Sequence, residues 1–392
     1  MKLNNKFLSN AFIFFISIPF LLNWIVQGDR DGEILASENH SMTKFSPLTR
    51  LTQHELLKFF ENKELYISDR LLLKDFVNPL LLKYTAEPKY FSNSADISSG
   101  IIASDGWLFI GDRFGLPISK HFSTIKPDAK IIKKTVDTLN ALKKTADSLN
   151  SKYIVLVAPD KHSIYCEKFP KWILKNTLCS NINSYTKILI ASIQDSGINV
   201  VFPFTELRQS RNDEQLYYKN DTHWNFLGAS IAFESFLKGI QLLDGYDDKL
   251  NFNNSILIKS NETYEGDLIK LIGVSGAYSL NQVVWKFHGN TQLNVIWQDK
   301  SSKKIVPFSK AAQTAKSDFF AIVQNDKGKI SKRVVVLGDS FATALSPFFN
   351  LYFKEVTYIS RYSPKETQKD LIQKIRPDII VEVIVERLLD DL

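Results

Sequence analysis

The sequence predicts an α/β fold: a largely parallel sheet flanked by helices, with a β-rich insertion. Three observations predict it. A short uninterrupted apolar run, the mark of a strand buried on both faces, stands at Tyr153–Val157, and further strand-like runs stand at Val334–Leu337 and Ile379–Val385. Segments with apolar residues at helical spacing fill the intervals, and strands alternating with helices imply parallel pairing. Between about 245 and 330 the rhythm breaks into a polar, β-like stretch, with Ser255–Ile258 and Gln282–Trp285 as its clearest runs.

Taken in order, the chain opens with Lys2 and Lys6 ahead of an apolar run from Phe7 to Val26, diluted by Ser9, Asn10, Ser17, Pro19 and Asn23 but free of charge. Its length matches the roughly 20 residues that cross a bilayer. The VQGDRDGE that follows offers no small-x-small cleavage site, so residues 1–30 read as an uncleaved membrane anchor, a cleaved signal being the alternative. The two lysines keep the short N-terminal end cytoplasmic and place the rest of the chain outside. Residues 31–94 read as a linker and membrane-proximal helical segment, with Thr52–Glu55 as a capping box before Leu56, Leu57, Phe59 and Phe60. From 95 to 392 the chain reads as one domain. Asp105-Gly106, flanked by Ile101-Ile102 and Trp107–Ile110, signals a hairpin. Pro127-Asp128 opens a helix bearing Ile131, Ile132, Leu139, Leu142 and Leu149. Helices follow at 183–195 and Phe226–Leu243, with further strands at Val200–Phe202 and Val356–Ile359.

Composition bounds the function. The 392 residues are 44% hydrophobic and 12% aromatic, which supports a large packed core. The net charge of +7 is mild over this length, and no block of five basic residues occurs, so nothing points to nucleic acid. Such a charge would suit an anionic polymer or a membrane surface. The two cysteines, Cys166 and Cys179, can close a small loop in an oxidising compartment, unpaired buried thiols being the alternative. None of the six histidines pairs with another at ligand spacing, and neither a metal nor a cofactor is expected.

Two stretches carry chemistry. In Val334–Leu345, Gly338 permits a sharp turn that sets Ser340 at the carboxyl end of a strand and the amino end of a helix. Backbone N–H groups there favour a developing oxyanion. A turn serine is the plainer reading of that motif alone. In Tyr217–Gly228, Asp221 and His223 are two apart and can meet if the backbone bends. A serine hydroxyl needs such a base, and the base needs a carboxylate to hold its tautomer. The plainer reading is an Asp helix cap followed by an incidental histidine. His162, after the strand ending near Pro159, is the fallback base.

Together, Asp221-Thr-His-Trp224 upstream of Gly338-Asp-Ser-Phe341 resembles the AlgJ/AlgX-type alginate O-acetyltransferase family of SGNH hydrolase-like proteins. The Asp-His block precedes the serine, a permuted order characteristic of this type. Ser104–Phe109, Ala158–His162, Tyr264–Leu268 and Arg376–Ile380 with Glu386-Arg387 match its flavour, and the absence of a further carbohydrate-binding module sits closer to AlgJ. The resemblance implies a flavodoxin-like, circularly permuted SGNH fold and a periplasmic enzyme. It implies a partner, a membrane-bound O-acyltransferase, that supplies acetyl groups for transfer to an exopolysaccharide, anionic or neutral. Ser340 would be the nucleophile, His223 the base and Asp221 its orienting carboxylate. The Ser340 N–H, Gly106 and Asn220 are the oxyanion-hole candidates. Lys161 and Arg361 are candidates to hold an anionic sugar, solvated surface positions being the alternative. Glu386 and Arg387 read as a structural pair, and Asp339 as a turn-shaping residue. A carbohydrate acetylesterase with the same triad, or a non-catalytic scaffold of a modification complex, are the alternative functions.

Overall fold

A computed structural model describes residues 34–35, 40–41 and 100–392, apart from 123, 175–178, 180–183, 245–255, 272–279, 289–292, 315 and 317–318. The expected anchor at 1–30 and the capping-box helix after Thr52 lie outside the described residues. Among those described, no helix is long and apolar enough to cross a membrane. The chain divides into two compact units. One comprises Met1–Ala95 and Glu265–Ser279, in which a two-residue pairing of β1 (Ile34–Leu35) with β2 (His40–Ser41) and a helical turn at Asp267–Leu271 are described. The other comprises Asp96–Tyr264 and Leu280–Leu392, and everything below concerns it.

It begins with the hairpin of β3 (Gly100–Ile102) and β4 (Leu108–Ile110). Asp105 and Gly106 take φ of 57° and 79°, the left-handed values a tight hairpin turn needs. There follow α1 (Ala129–Ser148), with Asp128 capping the Ile131 amide, β5 (Lys152–Ala158), α2 (Ser184–Asp195), β6 (Asn199–Val201) and α3 (Phe226–Asp244). Next come β7 (Leu257–Tyr264), β8 (Leu280–Phe287), β9 (Asn294–Asp299), β10 (Lys303–Pro307) and β11 (Phe320–Gln324). The chain ends with β12 (Ile330–Gly338), α4 (Ala342–Tyr352), β13 (Phe353–Ser360), α5 (Lys365–Ile375) and β14 (Ile379–Val385).

Eight strands form one sheet in the order β10-β9-β11-β13-β12-β14-β5-β6. From β13 to β6 all pairings are parallel, as the strand–helix alternation predicts. The runs are apolar on both faces because each strand feeds two cores. Ile154, Leu156, Val334, Val336, Val381 and Val383 pack under α3 and α4, against Phe233, Phe236, Phe348 and Phe349. Tyr153, Val155, Val157, Val335, Leu337 and Ile380 pack on the other face, against Leu139 and Leu142 of α1, Leu189 of α2 and Ile372 of α5.

The stretch 245–330 does two things rather than one. β7 and β8 form a separate antiparallel ribbon, Leu257 opposite Phe287 and Tyr264 opposite Leu280. β9, β10 and β11 instead continue the central sheet as three antiparallel strands, β11 pairing with β13. The edge strand β10 carries exposed Lys303 and Lys304, which guard against edge-to-edge pairing. Pro347 lies inside α4 and leaves the Thr343 carbonyl without its helical donor; the Ser346 hydroxyl donates to it at 2.9 Å.

Candidate active site

Ser340 follows the carboxyl end of β12, where Gly338 allows the chain to turn into α4. A Cβ on Gly338 would lie 2.4 Å from that of Ala342, so only glycine admits this approach. Asp339 is buried and braces the turn: Oδ1 accepts from the Phe341 amide at 2.9 Å and Oδ2 from the Val385 amide at 2.7 Å. Burial raises its carboxyl above the ordinary range. The Thr314 hydroxyl donates to the Asp339 carbonyl. The Ser340 N–H makes no hydrogen bond among the described residues and stands at the amino end of α4.

Asp221 and His223 lie in a loop whose ends are closed by Asn225. Its N–H donates to the Leu216 carbonyl at 2.8 Å, and its side-chain oxygen caps α3 at Gly228, 3.0 Å away. The cap of α3 is therefore Asn225, and Asp221 is left for other work. Asp221 Oδ1 accepts from the His223 N–H at 2.9 Å and lies 2.7 Å from His223 Nδ1. The backbone bend needed to bring two side chains of this spacing together is made by that contact. His223 Nε2 lies 2.7 Å from Ser340 Oγ. A proton on Nδ1 satisfies the carboxylate and leaves Nε2 to accept from the serine hydroxyl. The Trp224 indole N–H donates to the Phe341 carbonyl at 3.2 Å, tying the two blocks together.

The loop is held from both sides. Lys161 is buried, and its ammonium donates to the carbonyls of Tyr218, Lys219 and Asp221 at 3.1, 2.9 and 2.6 Å. From the ribbon, Gln282 Oε1 accepts the Lys219 N–H at 2.7 Å, and its Nε2 donates to Asn220 Oδ1 at 2.6 Å. Tyr264 donates its hydroxyl to Asp221 Oδ2 at 3.2 Å. A cavity of about 250 Å³ opens beside the serine, lined by Tyr218, His223, Trp224, Phe226, Tyr264, Ala311, Ser340, Thr343 and Ala344.

Of the residues singled out in the sequence, the structure thus brings Asp221, His223 and Ser340 together. Others it places elsewhere. Gly106 makes the hairpin turn and is not among the cavity's lining residues. Asn220 is buried, donating to the Tyr264 carbonyl at 2.6 Å as well as accepting from Gln282. Lys161 is neither a sugar ligand nor a solvated lysine but a brace for the loop. Arg361 is also buried, 3.6 Å from Glu382, which accepts from the Tyr153 hydroxyl at 2.5 Å on the other face of the sheet. Arg387 pairs with Asp160, while Glu386 accepts from the Asp160 N–H and the Thr186 hydroxyl, so both clamp the turn after β5. Cys166 and Cys179 are disulfide-bonded. Residues that sequence reasoning left unassigned are Tyr218, in the same stretch as His223, and Gln282 and Tyr264 on the ribbon.

His162 is not a base at this site. It is buried against His121, ring centroids 5.1 Å apart. Burial, reinforced by Arg387 and Lys161, lowers its pKa to about 3. Burial and then His162 lower that of His121 to about 3 as well, Asp160 opposing and Arg208 assisting. Both are neutral when folded and protonate near 6.5 when unfolded. Between about 6.5 and 3 the unfolded state therefore binds more protons, and stability falls as pH falls, by up to about 1.4 kcal/mol per pH unit per histidine. Asp339 and Glu386, raised by burial, titrate in the opposite sense, so the slope is read as a difference. Urea melts from pH 7 to pH 4 are expected to show a steeper loss for the native chain than for His162→Gln.

Residues 101–292 match the family model of the SGNH hydrolase-like domain, acetyltransferase AlgX. No curated protein matches the sequence significantly. Among solved structures, PatB1 of Bacillus cereus with a sulfonyl adduct superposes with a TM-score of 0.56 at 15% identity, over 75% of this chain and 97% of that one. A DHHW family protein from Eubacterium siraeum follows at 0.54 and 15%, over 76% and 94%. The O-acetyltransferase domain of Pseudomonas putida AlgJ stands at 0.45 and 16%, over 74% and 92%. At such identities the first two likenesses are of fold. Over residues 101–292 the chain is similar to the SGNH hydrolase-like domain of the AlgX acetyltransferase, and its Asp-His block ahead of the serine on a parallel sheet agrees with that likeness.

Proposed function

We propose that this chain is a polysaccharide O-acetyltransferase working through a serine acetyl-enzyme at the periplasmic face of the inner membrane. The observation that carries the reading is the pair of 2.7 Å contacts linking Asp221, His223 and Ser340. In the first half-reaction Ser340 Oγ attacks the acetyl carbonyl carbon while His223 Nε2 takes the hydroxyl proton. The tetrahedral oxyanion forms beside the Ser340 N–H and the amino end of α4. The bond to the donor's leaving group then breaks, and the imidazolium returns the proton to it. In the second half a sugar hydroxyl attacks acetyl-Ser340, His223 takes its proton, and the serine oxygen departs and recovers that proton. Asp221 stabilises the imidazolium in each half. No step draws on a metal or a cofactor. Acetyl-CoA is confined to the cytoplasm, so a membrane-bound O-acyltransferase is the fitting donor, and an N-terminal anchor would keep the two together.

The test is to treat the full chain with an activated acetyl ester, with and without oligosaccharides, and to follow the products by mass spectrometry. An acetylated peptide containing Ser340 and an acetylated sugar are expected. Acetate without acetylated sugar for any acceptor identifies an esterase, and the absence of acetyl-serine overturns the reading.

A further inference from the structure

Tyr218 and Tyr264 stand in the wall of the cavity that holds Ser340 and His223. Their rings stack face to face, centroids 4.0 Å apart and planes 9° from parallel. The Tyr264 hydroxyl is on Asp221, whereas that of Tyr218 has no hydrogen-bond partner among the described residues, although the residue is only 9% exposed. Burial, then the negative charges of Asp221 and Glu262, raise the proton affinity of Tyr218 and keep it a donor. A phenol in the wall of the space beside the nucleophile, its donor unmatched among the described residues, is placed to meet a ligand oxygen.

The charge of that space selects the ligand. Its lining holds no lysine or arginine among the described residues. Both cations that the sequence offered for an anionic sugar face elsewhere, Lys161 onto three carbonyls and Arg361 toward Glu382. The field felt at Tyr218 comes from two carboxylates. A uronate carboxylate brought here would meet like charge and the negative faces of aromatic rings. An uncharged pyranose instead lays its C–H face on a ring and offers hydroxyls to the phenol. The chain's net charge of +7 is a property of the whole molecule and does not extend into this cavity.

We infer that the Tyr218–Tyr264 wall is the acceptor subsite and that it takes an uncharged sugar ring, a hexose or N-acetylhexosamine, with the Tyr218 hydroxyl donating to one of the ring's oxygens. This rests on the acetyl-transfer reading. The test is a binding measurement that involves no chemistry. The full chain bearing Ser340→Ala is titrated calorimetrically with an N-acetylglucosamine oligomer, a gluco-oligosaccharide and an oligomannuronate of equal length, at one ionic strength. One of the neutral oligomers is expected to bind at least tenfold more tightly than the uronate. Adding Tyr218→Phe should weaken that binding about threefold to tenfold, and Tyr218→Leu should weaken it more. If Tyr218→Leu fails to fold, Tyr218→Phe carries the test. Equal or tighter binding of the uronate, unchanged binding in Tyr218→Phe, or no binding of either neutral oligomer overturns the assignment. Each of these leaves the acetyl-serine assay untouched, so failure of the subsite is distinguishable from failure of the reaction.

Discussion

Replacing Ser340 with alanine is expected to lower acetyl transfer by about 10⁴-fold or more, while the fold persists. In the proposed reaction the hydroxyl oxygen receives the acetyl group, and it sits 2.7 Å from His223 Nε2. The methyl group left behind fits the same turn, because the turn is braced by Asp339 and not by the serine side chain. The thermal midpoint should therefore move little. Product analysis by mass spectrometry, alongside a melt of the same sample, checks both halves of this expectation. Transfer within tenfold of the native chain would place the acyl group on another residue.

Lys161→Met should show the largest loss of stability, about 3–5 kcal/mol, together with a fall of at least about 10²-fold in transfer. Methionine keeps the length and apolar packing of the side chain but removes the donors that three carbonyls share, those of Tyr218 and Asp221 being buried. An unsatisfied buried carbonyl is costly, and all three belong to the segment that sets the position of Asp221. The ammonium also lies over the rings of Trp107 and Phe109, at 5.8 and 5.3 Å, an attraction that methionine does not supply. Urea melts measure the first effect. Activity at a temperature where the variant is still folded measures the second, and separates displacement of the base from simple unfolding. A variant within about 1 kcal/mol of the native chain and within twofold in rate would show that the ribbon alone holds the loop.

How much of this was legible beforehand follows from which contacts are local. The parallel strands could be read because burial on both faces makes Tyr153–Val157 and Val334–Leu337 wholly apolar, and Ile379–Val385 apolar but for Glu382. The strands β9–β11 were hidden because only alternate residues enter the core, as with Ala321 and Val323 of β11. Ser340 was legible through Gly338 and the strand-to-helix change beside it. Asp221 and His223 were legible because their partnership is formed within three residues. Lys161 was misread because a lysine after a strand is ordinarily solvated, and its three carbonyls arrive 57 to 60 positions later. Gln282 and Tyr264 fell in stretches that the sequence marked, but nothing local told their roles, since their targets lie in another segment. Gly106 and Asn220 were candidates through the resemblance, which does not tell that Gly106 turns a hairpin or that the Asn220 amide is already engaged.

The place of β14 has a consequence for how the molecule comes into being. It lies between β12 and β5, and it is the last of the sheet's strands in chain order. Until it has been synthesised, β5 and β6 have no parallel neighbour linking them to the strand that bears the serine. Chain emerging from a ribosome therefore accumulates two half-sheets with exposed edges, and closure waits for Ile379–Val385. Transcripts that stop shortly before this strand would yield chaperone clients and proteolysis substrates, not shortened enzymes.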